Sequence, residues 1–157
     1  MANYKSEMLE FGYDASLHIE HPAMKLDAIG PTLGLAPRKL HAAGDARIAA
    51  SGKQLQGKYT NHYCSFDLET TDQQDITDFL RTLIAKFETS RDLFVSIADS
   101  GGEVCLFIGV GCSRCCAHQF DRELLNDLGK MGFDLRIDFY GSELPQRKLH
   151  PDTQHAE

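Results

Sequence analysis

The chain has 157 residues, of which 42% are hydrophobic and 25% are charged, and its formal net charge is −7. These values are ordinary for a single folded domain and exclude a disordered chain. The acidic balance also argues against a nucleic-acid binder, because such proteins gain much of their affinity from basic side chains that neutralise phosphates.

The composition along the chain predicts one α+β domain over residues 11–144, between a polar lead at 1–10 and a polar tail at 145–157. The lead lacks the apolar core of a signal peptide, and no apolar run reaches the ~18 residues of a membrane span. We therefore expect a cytoplasmic protein without a membrane partner.

The first predicted element is a strand in "YDASLHIE", residues 13–20, because apolar and polar residues alternate there. Asp14, Ser16, His18 and Glu20 form its polar side. A short helix is predicted near Met24–Leu33. Turn-forming residues then predict a long loop at 36–58, which holds five basic residues against one acidic residue.

The second half predicts the order strand, helix, strand, strand, helix, strand. The segments are "HYCSFDLE" (62–69), "TTDQQDITDFLRTLIAKFETS" (70–90), "LFVSIA" (93–98), "EVCLFIGV" (103–110), "FDRELLNDLGKMG" (120–132) and "FDLRIDFY" (133–140). Thr71 and Gln74 resemble a capping box, and Gly132 a C-terminal cap. This order predicts a ferredoxin-like βαββαβ sandwich with an N-terminal β-α extension and a mainly antiparallel sheet with helices on one face.

The strand at 103–110 is apolar on both sides, so both sides need cover. The helices cover one of them. We expect the side of Cys105 and Phe107 to be covered by the 36–58 loop, by the N-terminal extension or by a second copy in a homodimer.

Several stretches together resemble the bacterial domain-of-unknown-function family 4279. They are "LGLAP" and "GDAR" in the predicted loop, then "VCLFIGV" and "ELLNDLGKMGFDLRIDFY". The similarity extends over roughly Phe11–Ser142. It implies an α+β fold and a bacterial origin, and it implies no catalytic residues.

The stretch "GVGCSRCCAHQF" offers Cys112, Cys115, Cys116 and His118 as metal ligands. Cys-x2-Cys with a histidine is half of a zinc ribbon, so a zinc-binding or small-ligand module is one alternative. The second half of a ribbon is missing, and adjacent Cys115 and Cys116 would strain tetrahedral coordination. We expect a loop of reduced thiols and no cofactor.

No Walker loop, GxSxG elbow or HExxH motif occurs, and no serine or cysteine has a base partner evident in the sequence. We therefore expect a non-enzymatic protein, with His18 and Glu20 on a solvated surface. The remaining alternative is a small enzyme acting on an anionic substrate that Arg38, Lys39 and Arg47 would hold.

The polar sides of the strands indicate a protein-binding surface with clustered charge and aromatic side chains. Our leading hypothesis is a bacterial protein-binding domain, in its most specific form an immunity protein that neutralises a basic toxin such as a nuclease. The predicted binding residues are Asp67, Asp134, Arg136, Asp138 and Tyr140.

Overall fold

The computed structural model describes residues 11–71, 74–112 and 117–141. Its strands are β1 (Phe11–His21), β2 (Lys39–His41), β3 (Ala46–Ile48), β4 (Gln54–Lys58), β5 (His62–Leu68), β6 (Glu103–Cys112) and β7 (Asp134–Gly141). Its helices are α1 (Ile29–Leu33), α2 (Ile76–Phe87), α3 (Arg91–Asp99) and α4 (Arg122–Lys130), with a 3-10 turn at Glu88–Ser90.

Five strands form the main sheet, in the order β2-β5-β1-β6-β7. β1 lies in the middle and pairs antiparallel with β5 and β6, so that Leu17 is opposite both Phe66 and Leu106. β6 and β7 are parallel, and α4 lies between them in the chain. The expectation of a mixed α+β fold with a mainly antiparallel sheet is confirmed.

The core lies between one face of this sheet and the helices. Every second residue of β1 is buried there, from Ala15 through Leu17 to Ile19, together with the matching residues of β5 and β6. Apolar residues of α2, α3 and α4 belong to the same buried cluster. These helices therefore all cover one side of the sheet.

Helix α2 begins one turn later than the capping box predicts. Asp75 is its N-cap, and its carboxylate accepts a hydrogen bond from the backbone N–H of Thr77 at 2.8 Å. The backbone N–H of Gln74 instead donates a hydrogen bond to the carbonyl oxygen of Thr71 at 3.1 Å, before the helix begins. An aspartate directly before the first helical residue supplies the cap, so the predicted box was wrong. Gly132 does follow α4 with a φ of 73°, as predicted for a C-terminal cap.

The segment "LFVSIA" lies in helix α3, so its assignment as a strand was wrong. Phe94 and Ile97 are three residues apart and both are fully buried, which is the spacing of one helix face. A short apolar run of this kind fits a strand or a buried helix equally well. The ferredoxin-like order is not confirmed, since the described residues between β5 and β6 form helices and no strand.

The segment predicted as a long loop at 36–58 contains three short strands. β2 pairs with β5 at the sheet edge, whereas β3 and β4 form a separate two-stranded hairpin. All residues of this hairpin's strands are exposed. In the part of the chain that the structure describes, no helix is long and apolar enough to cross a bilayer.

Candidate functional site

The sheet side opposite α2, α3 and α4, called the open face below, brings polar residues of five strands together. Strand register defines its rows. Ser16 lies between Asp67 and Phe107, and the next row has His18 between Ser65 and Cys105. Arg136 of β7 extends the first of these rows. Side chains alternate along each strand, so these residues project to the same side.

His18 is at the centre of the open face and is hydrogen-bonded at both ring nitrogens. Its Nε2 lies 2.7 Å from Oγ of Ser16, and its Nδ1 lies 2.8 Å from Oη of Tyr63. Burial, followed by the nearby Arg38 and Arg136, lowers the pKa of His18 below its ordinary value. At neutral pH the ring is therefore uncharged, with one nitrogen donating a hydrogen bond and the other accepting one.

Two shallow cavities adjoin at this centre, and both are lined by His18 and Phe107. The first has a volume of about 250 Å³, and its other lining residues are Glu20, Tyr63, Glu103, Cys105 and Arg136. The second has a volume of about 570 Å³, and its other lining residues are Asp14, Ala15, Ser16, Arg38, Asp67, Leu68 and Tyr140. The floor is thus aromatic and hydroxylic, and the rims are charged.

Carboxylates outnumber cations around this floor. Six acidic residues belong to the open face, against three basic ones: Asp14, Glu20, Asp67, Glu103, Asp134 and Asp138 against Arg38, Lys39 and Arg136. Two of the cations are already in ion pairs, Arg38 with Asp67 at 3.1 Å and Arg136 with Asp138 at 3.3 Å. The open face therefore presents a net negative charge.

Glu20 and Glu103 form a like-charge pair on this face. These residues are directly opposite each other in the antiparallel register of β1 and β6, and both are exposed. Like charges in this position destabilise a sheet. Asn61 donates a hydrogen bond to the carboxylate of Glu20. A cation between the two carboxylates would relieve the repulsion.

Cys105 lines the smaller cavity, but its thiol is poorly reactive. Its exposed fraction is 9%. Burial, followed by the charges of Glu103 and Asp134, raises the pKa of its thiol. Since the thiolate is the reactive form, this cysteine is poorly suited to nucleophilic or redox chemistry at neutral pH.

The structure brings the predicted binding residues onto the open face. Asp67 is on β5, and Asp134, Arg136, Asp138 and Tyr140 are on β7. Asp67 and Tyr140 line the same cavity. The predicted set of binding residues does not include the floor residues Ser16, His18, Tyr63 and Phe107. Ser16 and His18 lie on the same side of the predicted first strand, and this placement could have identified them. We interpreted that side of the strand as solvated surface.

The other two candidate sets have different surroundings. Arg38 lines the larger cavity of the open face, whereas Lys39 lines a separate cavity with Asp45 and Tyr59. Arg47 donates to the carbonyl oxygen of Gln56 within the hairpin. The three cations therefore have different neighbours in the structure.

The cysteine-rich stretch is only partly described. Cys112 ends β6, and Nδ1 of His118 lies 3.6 Å from a carboxylate oxygen of Asp75. Cys115 and Cys116 lie outside the described residues. Within the described ranges, no group of three or more histidine, cysteine, aspartate or glutamate side chains has an arrangement that could hold a metal ion.

Comparison with known proteins gives one match. The family model described as Domain of unknown function (DUF4279) matches residues 10–142, which include every described strand and helix. No protein of curated function matches the chain, and no solved structure matches it either. Because the family match spans most of the sequence, the chain belongs to the DUF4279 family of domains of unknown function.

Proposed function

We propose that this chain is a non-enzymatic protein-binding domain whose open face receives a basic surface of a protein partner, as an immunity protein receives a basic toxin. The observation that supports the proposal most is the arrangement of six carboxylates around the aromatic floor of the open face. A bacterial toxin that acts on nucleic acid has a basic active site, which such a face would complement.

The floor of the open face has the composition of an interface centre. Tyr63 and Phe107 are aromatic, Arg136 lies 5.6 Å from the Phe107 ring centroid, and His18 joins them. Aromatic and arginine side chains carry much of the binding energy in protein interfaces. The carboxylates around them would steer a basic partner during approach and fix its orientation.

The like-charge pair of Glu20 and Glu103 supports a binding point for a cation of the partner between these two carboxylates. Both carboxylates line the smaller cavity, beside the rings of Tyr63 and Phe107. A lysine or arginine side chain entering there would pair with the two carboxylates and lie against an aromatic face. Binding would thus relieve the unfavourable pairing in the unbound chain.

The hydrogen-bonded Ser16, His18 and Tyr63 fit a structural role better than a catalytic one. Ser16 is buried in the middle of β1, between two paired strands. The backbone N–H groups around it belong to a sheet ladder, so they are poorly placed to stabilise an oxyanion. The hydrogen bonds instead fix the His18 ring and the Tyr63 hydroxyl at the centre of the face.

Reversing two acidic residues of the open face tests the proposal. The probe is the product of any gene for a basic, toxin-type protein that neighbours the gene of this chain, and its affinity is measured by isothermal titration calorimetry. The absence of such a gene would count against the immunity role. We expect the double variant E20K/E103K to weaken binding on the order of 100-fold, since each new lysine would face a basic partner surface.

The double variant D92K/D99K is the matched control. It makes the same change in net charge on exposed residues of α3, on the helix-covered side. We expect it to leave the affinity within about threefold, because distant exposed charges are screened by salt. Equal losses in both variants, or no binding of the unaltered chain to the basic protein, would contradict the proposal.

A further inference from the structure

The outer edge of β7 presents unpaired strand backbone. β7 is the last strand of the sheet and, among the described residues, pairs only with β6. It has eight residues and contains no proline, whereas the opposite edge strand β2 has only three residues. Long edge strands of this kind readily pair with a further strand, which proteins commonly prevent with lysine, proline or bulges.

The side chains of β7 are self-complementary about Ile137. If two copies of β7 paired antiparallel with Ile137 opposite Ile137, Arg136 would be opposite Asp138 of the partner subunit. This pairing of Arg136 with Asp138 of the partner subunit occurs twice, once on each side of the two-fold axis. Leu135 would likewise be opposite Phe139 of the partner subunit. Opposite charges and apolar groups directly across an antiparallel pair stabilise it.

Neighbouring registers lack this match. A shift by one residue would place charged residues opposite apolar ones, because side chains alternate between the two faces. A shift by two in one direction would place Arg136 opposite Arg136, and in the other direction Asp138 opposite Asp138. The sequence of β7 therefore specifies a single register for pairing with itself.

Exposed apolar surface at this edge also requires cover. Phe139 is 67% exposed and Tyr140 is 59% exposed. Leu135 and Ile137 pack partly against the core, but Phe139 does not belong to that cluster. Pairing with a second copy would bring Leu135 of one chain against Phe139 of the other and reduce this exposure.

We propose that the chain forms a homodimer through antiparallel pairing of β7 with β7 of a second copy, centred on Ile137. The two sheets then join into one ten-stranded sheet with a two-fold axis across its middle. Since this axis is perpendicular to the sheet, both open faces lie on the same side. The dimer presents two binding faces next to each other, which increases avidity for a partner with repeated sites. The proposal does not depend on the identity of the partner.

Charge exchange on β7 tests this dimer directly. Molar mass is measured by light scattering after size-exclusion chromatography, across a range of concentrations. We expect the unaltered chain to be a dimer and the single variants R136D and D138R to be monomers, because each places two like-charge pairs across the axis. Both positions are on the strand surface, and circular dichroism checks that the variants fold.

Two further samples keep the test specific to this register. The double variant R136D/D138R restores opposite charges and should be a dimer again. An equimolar mixture of the two single variants should form a heterodimer, because each then supplies the charge that the other lacks. A monomeric unaltered chain, dimeric single variants, or failure of both the double variant and the mixture to dimerise would overturn the proposal.

Discussion

Replacing Phe94 by alanine is expected to lower the free energy of unfolding by about 3–5 kcal/mol. Phe94 is fully buried in α3. Its ring centroid lies 4.9 Å from that of Phe133 and 5.8 Å from that of Phe87, in edge-to-face contacts. Removal of the ring would leave a cavity where α3 meets α2 and the residue before β7, and these elements cannot collapse fully to fill it.

Urea unfolding at equilibrium measures this loss. Asp92→Ala is the control, since Asp92 is exposed in the first turn of the same helix. We expect that control to change stability by no more than about 1 kcal/mol, because it affects only the favourable interaction of an acid with the helix N-terminus. If Phe94→Ala lowers the free energy of unfolding no more than Asp92→Ala does, the result would contradict the packing of α3 against the sheet.

Replacing Gly102 by alanine should destabilise the chain by about 1–3 kcal/mol. A Cβ atom there would be 2.8 Å from the carbonyl oxygen of Glu20 and 2.8 Å from Cγ2 of Ile97. It would also be 2.6 Å from the ring of His21. His21 is buried, and its Nδ1 accepts hydrogen bonds from the backbone N–H groups of Ala23 and Met24. The contacts involve backbone and a fixed ring, so the strain is not easily relieved.

Gly129→Ala is the matched control, and it should change the free energy of unfolding in the opposite direction. Gly129 is in α4, and a Cβ atom there would meet nothing within 4 Å. Alanine in a helix is favoured over glycine by about 0.5–1 kcal/mol, so this variant should be more stable than the unaltered chain. Thermal or urea unfolding of both variants gives the comparison. Stabilisation by both substitutions would contradict the close approach of β1 and α3 at Gly102.

The elements with long, regular patterns could be predicted from the sequence. Alternation identifies β1 and β7, and three- and four-residue spacing identifies α2 and α4. α3 could not be recognised, because its short apolar run with Val95 and Ile97 fits a strand by composition. Its helical state depends on packing of Phe94 against Phe133, which is 39 residues further along the chain and outside any local window, as well as against Phe87 at the end of α2.

The candidate site could be predicted only at its rim. Charged residues of β7 stand out in the sequence, and they do lie on the open face. The floor depends on register between strands that are far apart in the chain. His18 meets Tyr63 across 45 residues and lies beside Phe107 across 89 residues. Polar residues such as Ser16 look solvated in a strand pattern, and only the assembled sheet buries them.

The most direct test of the account is nuclear magnetic resonance of the chain on addition of the basic partner. The signals of the His18, Tyr63 and Phe107 rings report on the floor of the open face, and the side chains of α3 report on the opposite side. We predict shifts or broadening of the three ring signals upon binding, with the exposed α3 signals unchanged. Perturbation confined to α3 and the other helices, with the ring signals unmoved, would contradict binding at the open face.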